Sequence, residues 1–239
     1  MSRGLGDVYK RQMGICSGFM AILSAPLNAL TSVPGMFVLC GFAALLWCFG
    51  IHGTMVLMSV ILPMSMQAAT ANAAAYAAGG YDALVFYPIA LFASMAICGG
   101  TGNTLPLVIF GLKAKSEQIK AVSKIALIPG WFGINEPVTF GMPIMYNPIL
   151  CIPYVLNIFV VMLCTLIGYK VGFLVPAFVP IMTLMPMGFG SFLGTLRWQN
   201  AIWDYLMIIP AGLVWYPFFK AYDNQLYKRE QEALAAEAE

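Results

Sequence analysis

The stretch Gly133-Ile134-Asn135-Glu136-Pro137-Val138-Thr139-Phe140-Gly141-Met142-Pro143, running on to Asn147-Pro148, decides how this chain is read. Glu136 is the one charged residue between Lys124 and Lys170. A carboxylate so placed in a lipid-facing chain is costly, so it faces protein, water or ligand and marks a functional position. Pro137, Pro143, Gly133 and Gly141 together exclude an unbroken helix. Broken backbone at membrane depth persists only where protein buries it or a wet cavity borders it. A substrate site built from a re-entrant segment has these properties.

Outward from that stretch, composition sets the class. Apolar residues make up 61% of the chain and charged residues 9%, against about 25% charged in globular domains. From Met13 to Gly80 there is no Asp, Glu, Lys or Arg. The reading is an all-α polytopic membrane protein, with transmembrane helices and two re-entrant helical hairpins. A net charge of +2 is too small to suggest a nucleic-acid partner. The cysteines at 16, 40, 48, 98, 151 and 164 lie in apolar runs, without a Cys-x-x-Cys, beside a single histidine. They read as packing residues, so no metal site and no cofactor is expected.

Residues 1–12 are polar, lack the features of a signal peptide and are set apart from the fold. Residues 13–33 form an apolar helix that Pro26 bends or ends, and Met36 to Ile51 a second. A first re-entrant element, or an offset pair of short helices, is placed over 51–80, where Pro63, Gln67, Asn72 and Gly79-Gly80 interrupt a Met- and Ala-rich run. Ala83 to Phe110 is long enough to cross, with Gly99–Asn103 unwinding part of it. Lys113, Lys115, Lys120 and Lys124, with Glu117 the only acid among them, read as a solvated amphipathic helix and, topologically, as a cytoplasmic loop. The second re-entrant hairpin is set at 129–150, and Ile152 to Tyr169 spans. Pro176, Pro180 and Pro186 interrupt 171–196. Trp203 to Phe219 is the last span, with Trp203, Tyr205, Trp215 and Tyr216 as interfacial anchors. Residues 220–239 are a charged cytoplasmic tail, and Asp82 and Asp204 are expected in water at the membrane edges.

The candidate site residues follow from these breaks. Glu136 is either a site carboxylate or the cap of a half-helix. His52, between glycines, is either a satisfied core group or a ligand-binding or proton-handling one. Trp47, one turn before His52, and Trp131, five residues before Glu136, could stack on a pyranose or simply pack. Asn103 and Asn135 are uncharged amides suited to sugar hydroxyls, with helix–helix hydrogen bonds as the competing use.

The segment Gly133–Pro143 with Asn147-Pro148 resembles the signature of the membrane component (IIC) of sugar phosphotransferase systems, in the lactose/cellobiose/chitobiose family. Gly50-Ile51-His52-Gly53, Thr101-Gly102-Asn103-Thr104-Leu105-Pro106 and Tyr216-Pro217-Phe218-Phe219-Lys220 extend the resemblance from about Met13 onward. It implies that 13–219 is the C-terminal, substrate-binding half of a permease of the bacterial cytoplasmic membrane. The N-terminal half, absent here, would form a homodimer. It implies that Glu136 accepts a hydrogen bond from the sugar 6-OH and acts as its base, while His52 orients the same ring. The implied partners are a β-linked disaccharide, membrane lipid, the cytosolic IIB protein with its phosphocysteine, and indirectly IIA.

A second function keeps the same residues. In an ion- or proton-coupled secondary sugar transporter, Glu136 and His52 would be a proton relay. An intramembrane hydrolase finds no zinc-type His pair and no Gly-x-Ser-x-Gly.

Overall fold

In the computed structural model, which describes residues 29–181 and 183–237, every regular element is helical. Residues 1–12, and the expected helix over 13–33 except its last residues, lie outside the described residues. Helix α1, Val33–Cys48, starts where Ser32 Oγ accepts the Gly35 N–H at 3.2 Å, a side-chain cap for an otherwise unmet donor. The chain unwinds through Gly50 (φ +81°) and re-enters a helix at His52.

Helix α2, Gly53–Gly79, is a single helix of 27 residues, about 40 Å long. This corrects the re-entrant element or helix pair expected over 51–80. Pro63 is accommodated without a break, and from Ala68 to Ala78 alanine, the strongest helix former, prevails. Gly53 is the close approach: a Cβ there would lie 2.1 Å from the Ala43 carbonyl oxygen, so α2 crosses α1 backbone to backbone.

The interruptions fall later. Pro88–Ala96 is a 3-10 helix, the chain then unwinds, and α3 spans Leu105–Gly111. The break over Gly99–Asn103 is where the glycine run placed it. Helices α4, Glu117–Trp131, and α5, Glu136–Gly141, fold back on each other. A Cβ on Gly141 would lie 2.7 Å from Val122 Cγ1, so the two legs touch. This hairpin occupies 117–141 rather than 129–150. Ser116 starts α4 early by accepting the Ile119 N–H at 3.2 Å, and Pro129 falls in the last turn of α4 without ending it.

Helix α6, Pro148–Lys170, is the expected span, opened by Asn147 Oδ1 accepting the Ile149 N–H at 3.1 Å. The proline-cut stretch after it holds α7, Phe189–Thr195, and α8, Trp198–Leu206. Helix α9, Ile208–Glu237, runs without a break past 219–220, so the expected tail is the continuation of the last span. Among the described residues, three helices are long and apolar enough to cross a membrane, over Gly53–Ala83, Pro148–Lys170 and Trp198–Ala236.

Trp215, expected at an interface, is fully buried. Its Nε1–H is shared between the carbonyls of Gly102 (3.2 Å) and Asn103 (3.0 Å). An unwound loop exposes carbonyls that need donors, and α9 supplies one. Asp204 is also corrected: it is only 8% exposed and accepts the Ser191 hydroxyl at 2.5 Å, because α7 packs over that face of α8. Asp82 is exposed, as expected.

The polar end of α9 closes on the start of α4. The Asp223 carboxylate accepts the backbone N–H of Lys115 at 2.9 and 3.0 Å and that of Ser116 at 3.0 Å. Glu230 accepts the Ser116 hydroxyl at 2.5 Å and the N–H groups of Glu117 (3.1 Å) and Gln118 (3.2 Å). Two carboxylates thus cap the positive end of the hairpin's long leg.

Candidate functional site

His52 is the N-cap residue of α2, and its Nδ1 accepts the Met55 N–H at 3.2 Å. An imidazole that accepts at Nδ1 carries its hydrogen on Nε2, so His52 presents a donor on its outer side. Trp47, buried in the last turn of α1, lays its ring against the imidazole at 4.1 Å between centroids, tilted by 50°. Glu136 opens α5 at the tip of the hairpin.

His52 Nε2 and Glu136 Oε1 stand 4.0 Å apart, with side chains 35% and 46% exposed. That is too far for a direct hydrogen bond. A donor and an acceptor therefore face each other across a gap that one hydroxyl would fill. Such an oxygen, accepting from His52 and donating to Glu136, would sit about 2.8 Å from each.

The hairpin tip is fixed by its neighbours. Asn135 Nδ2–H donates to the Thr101 carbonyl at 2.8 Å, and the Thr139 hydroxyl donates to the Asn135 carbonyl at 2.9 Å. Gly100 (φ +76°) lies so close that a Cβ would come within 2.6 Å of the Gly133 oxygen. The two broken segments therefore meet backbone to backbone, as only glycine allows. Past the hairpin, Tyr146 N–H donates to the Cys48 carbonyl at 2.9 Å and its hydroxyl to that of Phe49 at 2.7 Å. The chain on either side of Glu136 is thus tied to the segments that carry Thr101 and His52.

Of the six residues singled out from sequence, Trp47, His52, Asn135 and Glu136 come together. Asn103 is fully buried (φ +51°) and turned inward on its own loop. Its Oδ1 accepts the Cys98 N–H at 3.1 Å and its Nδ2–H donates to the Ser94 carbonyl at 3.1 Å. Trp131 lies elsewhere. Its Nε1–H donates to Tyr205 Oη at 3.3 Å, its carbonyl accepts the Met187 N–H at 2.9 Å, and it lines an apolar depression with Phe189, Phe192 and Tyr205. Among the described residues, no hydrogen bond or ring contact joins Trp131 to His52 or Glu136.

Two residues that the sequence did not single out complete the arrangement. Trp47 Nε1–H donates to Thr54 Oγ1 at 3.4 Å, and Thr54 Oγ1 is 3.0 Å from Thr101 Oγ1. The chain of contacts runs from His52 through Trp47, Thr54 and Thr101 to Asn135, the neighbour of Glu136. Threonine in an apolar helix carries no sequence signal of its own. Only the glycine run around Thr101 hinted that something approaches there. The five described cysteines are free thiols, and among the described residues no three His, Cys, Asp or Glu side chains converge on a point.

The family model "Phosphotransferase system, EIIC" matches residues 12–157. The lichenan permease IIC component of Bacillus subtilis (strain 168) is 35% identical over 215 residues, covering 88% of this chain and 47% of that protein. The oligo-beta-mannoside-specific EIIC component of the same organism is 33% identical, covering 90% of this chain and 49% of that protein. The lactose-specific EIICB component of Lacticaseibacillus casei is 31% identical, over 88% of this chain and 37% of that protein. Among solved structures, the transporter ChbC, the IIC component from the N,N'-diacetylchitobiose-specific phosphotransferase system, superposes with a TM-score of 0.80 at 30% identity, covering 89% of this chain and 50% of that one. The chain spans about half the length of the relatives it matches. A helical membrane architecture, a family match over more than half the chain and a close structural relative agree: the chain belongs to the phosphotransferase system EIIC family.

Proposed function

We propose that the chain holds a β-linked disaccharide of the cellobiose, chitobiose or lactose class in a sugar permease of the bacterial cytoplasmic membrane. There the sugar is presented to the cytosol for phosphorylation on its 6-OH. The observation that carries this reading is the 4.0 Å gap between His52 Nε2 and Glu136 Oε1 beside the Trp47 ring. A half-exposed donor–acceptor pair suits the hydroxyl rim of a pyranose, while the buried Trp47 ring backs the imidazole rather than stacking on the sugar.

The chemistry follows from the gap. His52 Nε2–H donates to the 6-oxygen and fixes the ring, while Glu136 accepts the 6-O–H. The 6-oxygen attacks the phosphorus of a phosphocysteine on the cytosolic IIB protein, which IIA recharges. The new P–O bond forms as the P–S bond breaks, the thiolate leaves with its electron pair, and Glu136 takes the proton. This chain supplies orientation and a base, and the phosphoryl group comes from its partner.

Relatives named for lichenan, oligo-beta-mannoside, lactose and N,N'-diacetylchitobiose support the β-linked class. Glu136→Gln and His52→Ala test the assignment in membranes supplied with phosphorylated IIB and labelled disaccharide. Both variants should lose sugar phosphate while the wild type forms it. Equal product from wild type and Glu136→Gln would remove Glu136 from the reaction.

A further inference from the structure

Thr54 and Thr101 share one hydrogen bond of 3.0 Å between two hydroxyls, and distance alone does not say which one donates. Burial does. Thr101 is 5% exposed, and among the described residues its hydroxyl hydrogen-bonds only to Thr54. If Thr54 donated, the Thr101 hydrogen would be stranded in the interior without an acceptor, an arrangement that buried polar groups avoid. Thr101 is therefore the donor.

The consequence falls on Thr54. Its oxygen then accepts from Thr101 and, at 3.4 Å, from Trp47 Nε1–H, which occupies both lone pairs of a hydroxyl. Its own hydrogen is left over. Thr54 is only half-buried, in the first turn of α2 two residues after His52. A hydroxyl with both lone pairs engaged can only donate, and the two incoming bonds set the direction of its free hydrogen.

We propose that Thr54 Oγ1–H is a substrate-binding donor, preset by Trp47 and Thr101, which selects a sugar oxygen able to accept. A sugar hydroxyl used as an acceptor would satisfy it. This rests on the sugar-holding reading of the site above. It adds a specificity device that the His52–Glu136 pair lacks, since that pair asks its hydroxyl both to accept and to donate.

The test is the binding of cellobiose, its monodeoxy analogues and the matching monodeoxyfluoro analogues to the complete gene product in lipid nanodiscs, read by calorimetry. Fluorine accepts weakly and cannot donate, so it separates the two roles. In the wild type, at one position, the deoxy analogue should bind about 10-fold more weakly than the parent, with the fluoro analogue between them. Thr54→Val should weaken parent binding about 10-fold and erase that difference. Thr54→Ser should restore it. Thr70→Val, on the exposed face of the same helix, controls for effects on α2. If Thr54→Val keeps both the wild-type affinity and the wild-type pattern across the analogues, the assignment is overturned while the sugar-holding reading stands. If the wild type binds none of the sugars, both fall together.

Discussion

At the scale of single residues, the proposed function gives Glu136 and His52 two parts of one task. Glu136→Gln keeps the shape and an acceptor oxygen but removes the basicity. Phosphoryl transfer should fall at least about 100-fold, while sugar affinity changes much less. Single-turnover rates beside equilibrium binding would separate the two effects, and a parallel loss of both would make Glu136 a binding residue only. His52→Ala removes a donor and the ring that Trp47 packs against, so it should weaken binding itself. Glu136 was legible in the sequence because a lone carboxylate in an apolar run has few structural uses. Thr54 was not, because a helical threonine reads the same whether its hydroxyl bonds the backbone, as Thr70 does to the Met66 carbonyl at 2.8 Å, or faces a ligand.

At the scale of elements, the site depends on how two broken segments meet. Gly100→Ala would place a Cβ 2.6 Å from the Gly133 oxygen at a φ of +76°. It should separate the hairpin tip from the Thr101 loop, and sugar binding should be lost even though no polar group is removed. Wild-type affinity in Gly100→Ala would show that the tips need not touch. At the other end of the hairpin, Asp223→Ala removes the acceptor for the Lys115 and Ser116 amides. A lost helix cap costs about 1 kcal/mol, so hydrogen exchange over 115–119 should accelerate several-fold with little change at the tip. Unchanged protection there would mean that α4 holds its first turn without α9. The break at Gly99–Asn103 could be read from its glycines. The interruption expected within 51–80 was wrong because Pro63 and small polar residues are tolerated inside a long helix when alanine surrounds them. The hairpin's true start at Glu117 was hidden because the basic residues there read as a solvated amphipathic helix on the cytoplasmic side, not as the first leg of the hairpin. Its caps, Asp223 and Glu230, lie more than a hundred residues away along the chain.

For the whole molecule, the uncharged run from Met13 to Gly80 already required a membrane, and among the described residues three helices of spanning length and hydropathy agree with it. Which helices would pack against which could not be read from hydropathy, since every apolar face looks alike along the chain. Trp215 shows this: its place beside Tyr216 suggested an interfacial anchor, yet α9 uses it to satisfy two carbonyls of the Gly102–Asn103 loop. The membrane architecture alone would serve a proton-coupled transporter as well as a phosphotransferase permease, and the chemical state of the sugar on the cytosolic side separates them. The deciding measurement gives labelled cellobiose, chitobiose and lactose to vesicles carrying the complete gene product, with phosphoenolpyruvate, the general phosphotransfer proteins, IIA and IIB inside. The product is then identified. Sugar 6-phosphate that appears only with IIB present and disappears in Glu136→Gln is the predicted result. Unmodified sugar accumulating in step with an imposed proton gradient, with no phosphorylated product, would contradict it.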